Sequence, residues 1–234
     1  MISVNFDMKQ DQALKILCLG AHCDDIEIGC GGTLLKILQE FKNSAVHWIV
    51  FSSDPKREEE ARSSANIFLD CAGSKRISIE KFRNGFFPYV GGEIKEYFEG
   101  IRELFAPDVI FTHYRADLHQ DHKTISDLTW NTYRNHLILE YEIPKYDGDF
   151  GSPNLFVPLE FPILQHKIKS ILTAFTTQNN KHWFTEELLL SVLRIRGMEC
   201  CSPTKYAEAF YCRKAILQYP NNSKQRLQFR SPKK

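Results

Sequence analysis

No apolar run in this 234-residue chain approaches the ~20 residues that a membrane-spanning helix needs. The longest candidates, residues 45–54 and 15–20, are half that or less. An excess of charge of one sign is missing too: 30 Lys and Arg stand against 29 Asp and Glu, a net +1. Bulk charge therefore points to no partner, and no nucleic-acid interface is expected. Seven cysteines, an odd count without regular spacing and with Cys200 and Cys201 adjacent, make no disulfide framework. They read as reduced thiols in a cytoplasmic protein. The opening MISVNFDMKQDQ has no basic region ahead of an apolar core, so no signal peptide is expected. There is no internal repeat, low-complexity stretch or linker, and a single domain over residues 1–234 is the expectation. A chain of this length buries roughly 70% of its unfolded surface without needing disulfides. Residues 220–234 carry five basic residues and no acid, and read as a flexible solvated tail.

What is present is a strand–helix alternation. Residues 15–20 (KILCLG), 46–52, 75–79 and 108–112 are strand-like, and residues 137–143 form a further candidate. Between them, residues 29–42 carry Leu34, Leu35, Ile37, Leu38 and Phe41 at helical spacing. Pro55 opens a second helix, running to Cys71 or Ala72 and closed by Gly73. Residues 93–105 make a third, after an aromatic and glycine-rich loop over 82–92. Residues 144–158 read as a long loop with room for one short strand, and helices follow near 161–175 and 185–196. This pattern predicts an α/β, Rossmann-like, doubly wound and mostly parallel sheet with helices on both faces.

Two clusters carry the chemistry. One is residues 21–27 (AHCDDIE) after the first strand, and the other is residues 112–122 (THYRADLHQDH) after the fourth. Together they hold four of the eight histidines. Two imidazoles and a carboxylate make a three-donor set for a divalent cation, zinc by default, with a position left for water. His22, Asp25 and His122 supply such a set, leaving Asp24 and His119 for proton transfer. Residues ~90 apart meet if the first strand is central and the fourth lies beside it, at the carboxyl ends where strand order reverses. Taken singly, each has a plainer role: Asp24 or Asp25 as a helix cap, His113 at a strand end, Asp117 and Asp121 in turns. Such crowding of ionisable groups favours the site. Gly29, Gly31 and Gly32 raise a phosphate-binding turn as a rival, but they fit neither G-x-G-x-x-G nor G-K-[ST], and close helix–strand packing explains them better.

At these residues the chain resembles the PIG-L/LmbE-like family of zinc-dependent de-N-acetylases. That family carries A-H-P-D-D-x-E after its first strand and H-x-D-H after its fourth. Here they read Ala21-His22-Cys23-Asp24-Asp25-Ile26-Glu27 and His119-Gln120-Asp121-His122, with Gly31-Gly32-Thr33 between. The resemblance covers most of the first 125 residues. It implies a Zn2+ cofactor held by His22, Asp25 and His122, with Asp24 as general base. It also implies His119 as the group that protonates the leaving amine or steadies the oxyanion, and Asp121 as the carboxylate that orients His119. Arg57 matches a family arginine that reaches sugar hydroxyls; a helix-face salt bridge is its plainer role. Cys23 stands where the family has proline, most simply as a buried inert thiol.

The implied function is removal of an N-acetyl group from an amino sugar or sugar conjugate, releasing acetate and a free amine. An amidase on a non-sugar acylated substrate, such as a thiol conjugate or antibiotic precursor, stays open. So does a non-catalytic sugar- or nucleotide-binding module, although such a module has no need of a base at Asp24. Phe86, Phe87, Tyr89, Tyr146 and Phe150 stand in loops where they could stack on a sugar ring, with packing the weightier reading. The sequence names no particular sugar and leaves open whether the chain forms a homo-oligomer.

Overall fold

The computed structural model describes residues 13–216, together with Ser3. The basic tail expected over residues 220–234 lies outside the described residues.

Strand β1 (Lys15–Gly20) is buried at all but its first residue. It pairs in parallel with β2 (Ala45–Val50) on one side and β4 (Val109–His113) on the other. With β3 (Ser74–Ile79), β5 (Leu137–Tyr141), β6 (Leu155–Pro158) and β7 (Ala207–Cys212) the sheet order is β3-β2-β1-β4-β5-β7-β6. The first five are parallel, and β7 and β6 join antiparallel at one end. The β1/β4 junction is where strand order reverses, so two chain segments diverge there and leave a crevice at the carboxyl ends. The strand β7 is an addition to the sequence reading, which placed none there.

Side chains alternate along each strand and feed two cores. Ile16 and Cys18 of β1 join a cluster with α1 (Asp25–Glu40), α2 (Pro55–Phe68), α5 (Phe161–Ala174) and α6 (Glu186–Glu199). Leu17 and Leu19 join the opposite cluster with α3 (Gly91–Leu104) and α4 (Gln120–Thr132). Helix α4 is not announced by the sequence pattern: Ile125 is its one fully buried large apolar residue, and buried Asp121, His122, Ser126 and Thr129 share that inner side.

Helix α1 begins at Asp25, four residues before the expected start, with Asp25 and Glu27 in the first turn where the helix dipole favours acids. Helix α2 begins at Pro55 as expected, because the Asp54 carboxylate caps the amides of Lys56 and Arg57 at 3.0 Å. It stops at Phe68, short of the expected Cys71. The glycines of α1 serve packing. A side chain at Gly29 would strike the Tyr141 ring of β5, and one at Gly31 would come within 2.6 Å of Phe68. The amides of Gly32 and Thr33 donate to the Glu208 carboxylate at 2.7 and 2.6 Å, so they are not free to cradle a phosphate. Lys167 pairs with Glu208 at 2.5 Å and donates to the Ile28 carbonyl at 2.7 Å, splicing a buried ion pair into the helix ladder.

Candidate active site

The turn after β1, residues 21–24, and the turn after β4, residues 114–119, lie side by side because β1 and β4 are neighbours. A hydrogen bond from the Ala21 amide to His113 Nε2, 2.9 Å, ties one to the other. His22, Asp25 and His122 converge across this junction. His22 Nδ1 lies 3.1 Å from His122 Nε2, and Asp25 Oδ2 lies 3.4 Å from the first and 3.6 Å from the second.

His122 Nδ1 donates to Asp117 Oδ2 at 2.9 Å. His22 Nε2 faces Asn84 Oδ1 at 3.2 Å and Asp121 Oδ2 at 3.3 Å. With the outer nitrogens facing acceptors, the inner nitrogens point at each other and at a carboxylate oxygen. Such a triangle is repulsive unless a positive charge sits within it. Donors bound tetrahedrally at about 2.0–2.1 Å from zinc are about 3.3 Å apart, so the spacing fits that ion. The carboxylate behind each imidazole is the arrangement that fixes ligating histidines in the right tautomer.

The electrostatics agree. Burial and the His113 charge lower the pKa of His122 to about 4, so its imidazole is neutral and available as a ligand. Burial also works against a charge on His22, but Asp25, Asp121 and Asp24 outweigh it and raise the pKa to about 10. The pocket is thus built to hold positive charge at that nitrogen, where a proton and a metal ion compete. Burial opposes ionisation of Asp25, yet His122, His113 and His22, which are charged in the acid range where Asp25 titrates, hold it well below the usual carboxylate range.

Asp24 is buried beside this set. Its Oδ1 accepts from Arg57 Nη2 at 2.9 Å, and its Oδ2 has no hydrogen-bond partner among the described residues. Burial pushes its pKa up and Arg57 pulls it back. One oxygen is held and the other is bare, as a proton acceptor requires. Arg57, matched to a sugar-reaching arginine, pairs with Asp24 through Nη2, since the first turn of α2 faces the turn after β1.

His119 caps α4, its Nδ1 accepting from the Asp121 amide at 3.2 Å. Its ring lies 4.6 Å from that of His122 and 5.0 Å from that of His22, and the imidazole is half-buried, its Nε2 without a hydrogen-bond partner among the described residues. His22, His119 and His122 also form a group compact enough for a metal ion, as do Asp25, His113 and His122. Asp121 does not orient His119 as expected. Its carboxylate turns away to His22 Nε2 and to the amides of Gly85 and Phe87 at 2.6 and 3.1 Å, because those amides reach into the first turn of α4. Asp117, read in sequence as a turn former, is the residue that orients the third histidine; its five-residue offset from His122 was the available signal. His113, 3.2 Å from Asp25 Oδ2, is a second addition. Cys23 is fully buried, its thiol pushed well up by burial, and it sits against the Ser52 carbonyl at 3.5 Å.

Phe87 is fully buried and belongs to packing. Phe86, Tyr89, Tyr146 and Phe150 remain exposed, on loops bonded to the site through Gly85 and Asp149.

The PIG-L family of GlcNAc-PI de-N-acetylases matches residues 17–133, half of the chain and the half that contains both clusters. The chain belongs to this family. As a PIG-L family member it is placed among deacetylases. It is similar to an uncharacterized deacetylase, YaiS, of Escherichia coli K12, 29% identical over 142 residues, which are 55% of this chain and 74% of that protein. The fold is shared with the N,N'-diacetylchitobiose deacetylase of Pyrococcus horikoshii, with a TM-score of 0.62, 20% identity and coverage of 88% and 86% of the two chains. It is shared too with GalB, a 4-carboxy-2-hydroxymuconate hydratase from Pseudomonas putida KT2440, with a TM-score of 0.67, 16% identity and coverage of 88% and 98%. One architecture carries a deacetylase and a hydratase, so the reaction has to be argued from the site. Among the described residues no helix is long and apolar enough to cross a membrane.

Proposed function

We propose that this PIG-L family member is a zinc-dependent hydrolase that removes an N-acetyl group from an amino sugar or sugar conjugate, releasing acetate and a free amine. The observation that carries the reading is the triangle of His22 Nδ1, Asp25 Oδ2 and His122 Nε2, 3.1–3.6 Å on a side, beside a buried carboxylate with one unpartnered oxygen. The three residues of the triangle would hold the ion. When bound, zinc supplies a Lewis-acid charge that polarises an amide carbonyl and brings the pKa of a water toward about 7.

This chain's residues do the rest. Asp24 accepts the proton of the attacking water at Oδ2 while Arg57 keeps Oδ1 and the carboxylate plane in place. Burial raises the basicity of Asp24, which suits it to take that proton and pass it on. His119 carries its free Nε2 at the half-buried edge of the cluster, placed to donate a hydrogen bond to the oxyanion or a proton to the departing nitrogen. An amide nitrogen leaves poorly unless protonated, so the reaction needs such a donor. The sugar preference is supported by the family's description and by the exposed aromatic rings on the rim loops, which offer flat faces to a pyranose.

Acetate and free amine are to be measured with zinc-loaded protein on N-acetylated sugars and on non-sugar amides, for the wild type and Asp24→Asn. Turnover of an acetamido sugar, lost in Asp24→Asn while zinc stays bound, is the expected result. Hydrolysis confined to non-sugar amides would overturn the sugar assignment. Sugar binding without hydrolysis and without bound metal would favour a binding module.

A further inference from the structure

We propose that Lys145 and Asp149, from the loop between β5 and β6, are positioning residues for the candidate metal centre, acting through Asp117. The inference rests on the zinc reading above and extends it to a segment far outside both sequence clusters. Lys145 Nζ donates to Asp117 Oδ2 at 2.9 Å, the same oxygen that accepts from His122 Nδ1 at 2.9 Å. Asp117 Oδ1 accepts from the His119 amide at 2.8 Å. Asp149 receives Lys145 on both oxygens, at 2.7 and 2.6 Å, and its Oδ2 also accepts from the Leu118 amide at 2.7 Å. Lys145, Asp117 and Asp149 are nearly enclosed, with side-chain exposures of 11%, 2% and 7%.

The two loop residues therefore grip the β4–α4 turn at two points, Asp117 and the Leu118 amide, and that turn carries His119 and leads directly into His122. Asp117 is a buried anion that accepts from His122, from His119 and from one external cation, Lys145. Removing that cation takes away a donor that fixes the carboxylate plane of Asp117, which is then free to rotate away from His122 Nδ1 and release its tautomer. The loop is rigid enough to act as a strut, because its far end is tied down as well. The Gly151 amide donates to the Tyr211 hydroxyl at 3.0 Å, and the Gly151 carbonyl accepts from the buried Arg196 at 3.2 Å. Tyr146, 73% exposed, stands between Lys145 and Asp149. A ring stacked on Tyr146 would thus press on the same segment that orients His122.

The test compares wild type, Lys145→Met, Lys145→Arg and Asp149→Asn. Zinc affinity is measured by chelator competition, kcat and KM on whichever N-acetylated compound the wild type turns over, and unfolding is followed on the metal-free proteins. Lys145→Met is expected to weaken zinc binding by up to about 10-fold, the low end of the usual cost of losing the carboxylate behind a ligating histidine, because Lys145 acts through Asp117. It should lower kcat more than it raises KM, and Lys145→Arg should recover most of both. Asp149→Asn, which keeps an acceptor for the Leu118 amide, should show a smaller loss in the same direction. Zinc affinity unchanged in Lys145→Met overturns the proposal, as does a loss that Lys145→Arg fails to recover. A wild type that binds zinc but hydrolyses no amide refutes the deacetylase reading and leaves the affinity comparison decisive for this one. A wild type that binds no zinc refutes both.

Discussion

Arg57 Nη2 lies 2.9 Å from Asp24 Oδ1 and leaves Asp24 Oδ2 without a partner among the described residues. The pair sets how basic the carboxylate is: burial raises its pKa, and the guanidinium is the largest influence lowering it. Arg57→Ala should therefore raise the Asp24 pKa further. Since Asp24 works ionised, the acid limb of the kcat/KM profile is expected to move to higher pH. Turnover at neutral pH should fall by less than the ~10²–10⁴-fold that loss of a general base costs. A profile that weakens uniformly without moving would place Arg57 on the substrate instead.

Metal content separates ligands from their neighbours. His122→Ala should lose the ion on purification, and Asp117→Ala should retain it about 10–100-fold more weakly. His119→Ala should keep full occupancy while turnover drops, because the triangle closes without it. Elemental analysis of the three variants decides, and loss of metal from His119→Ala would move the site to the alternative group of His22, His119 and His122.

The Lys167–Glu208 pair, 1% and 2% exposed, holds α1 to β7 by bonding into the helix backbone. Lys167→Met strands a buried carboxylate and should cost about 3–5 kcal/mol. The double variant Lys167→Met/Glu208→Gln should cost less than the single one, because no unpaired charge remains. Denaturant unfolding of the metal-free proteins measures both.

His47, on β2 beside Arg76 of β3, has its pKa lowered to about 4 by burial first and the Arg76 charge second. The unfolded chain takes up this proton near the ordinary value of 6.5, the folded one only near 4. Stability is therefore expected to drain away as pH falls through that window. His47→Gln should flatten this part of the melting-temperature profile. An unchanged slope would mean the loss arises elsewhere.

Local order was legible wherever one segment's own residues decide it. Residues 15–20 came out as β1 to the residue, because an apolar run ended by glycine has few alternatives. Pro55 after Asp54 announced α2. Helix α4 was not legible: its inner side is polar, being built around Asp121, His122, Ser126 and Thr129, so the usual apolar stripe is missing. Strand β7 was missed because it pairs with β5 and β6 across long stretches of chain.

For the candidate site, the gathering of His22, Asp24, Asp25, His119 and His122 at one place could be read from residue type and spacing, since few arrangements of imidazoles and carboxylates make sense of such density. Which carboxylate serves which imidazole could not. Asp121 turned to His22 and Asp117 to His122, choices made by the amides of Gly85 and Phe87 and by Lys145, which approach from other loops. Arg57 likewise found Asp24 only because α2 packs beside the turn after β1. Donor identity is a property of each residue. Donor orientation is a property of whatever hydrogen-bond partner folding brings within about 3 Å, and that partner comes from anywhere along the chain.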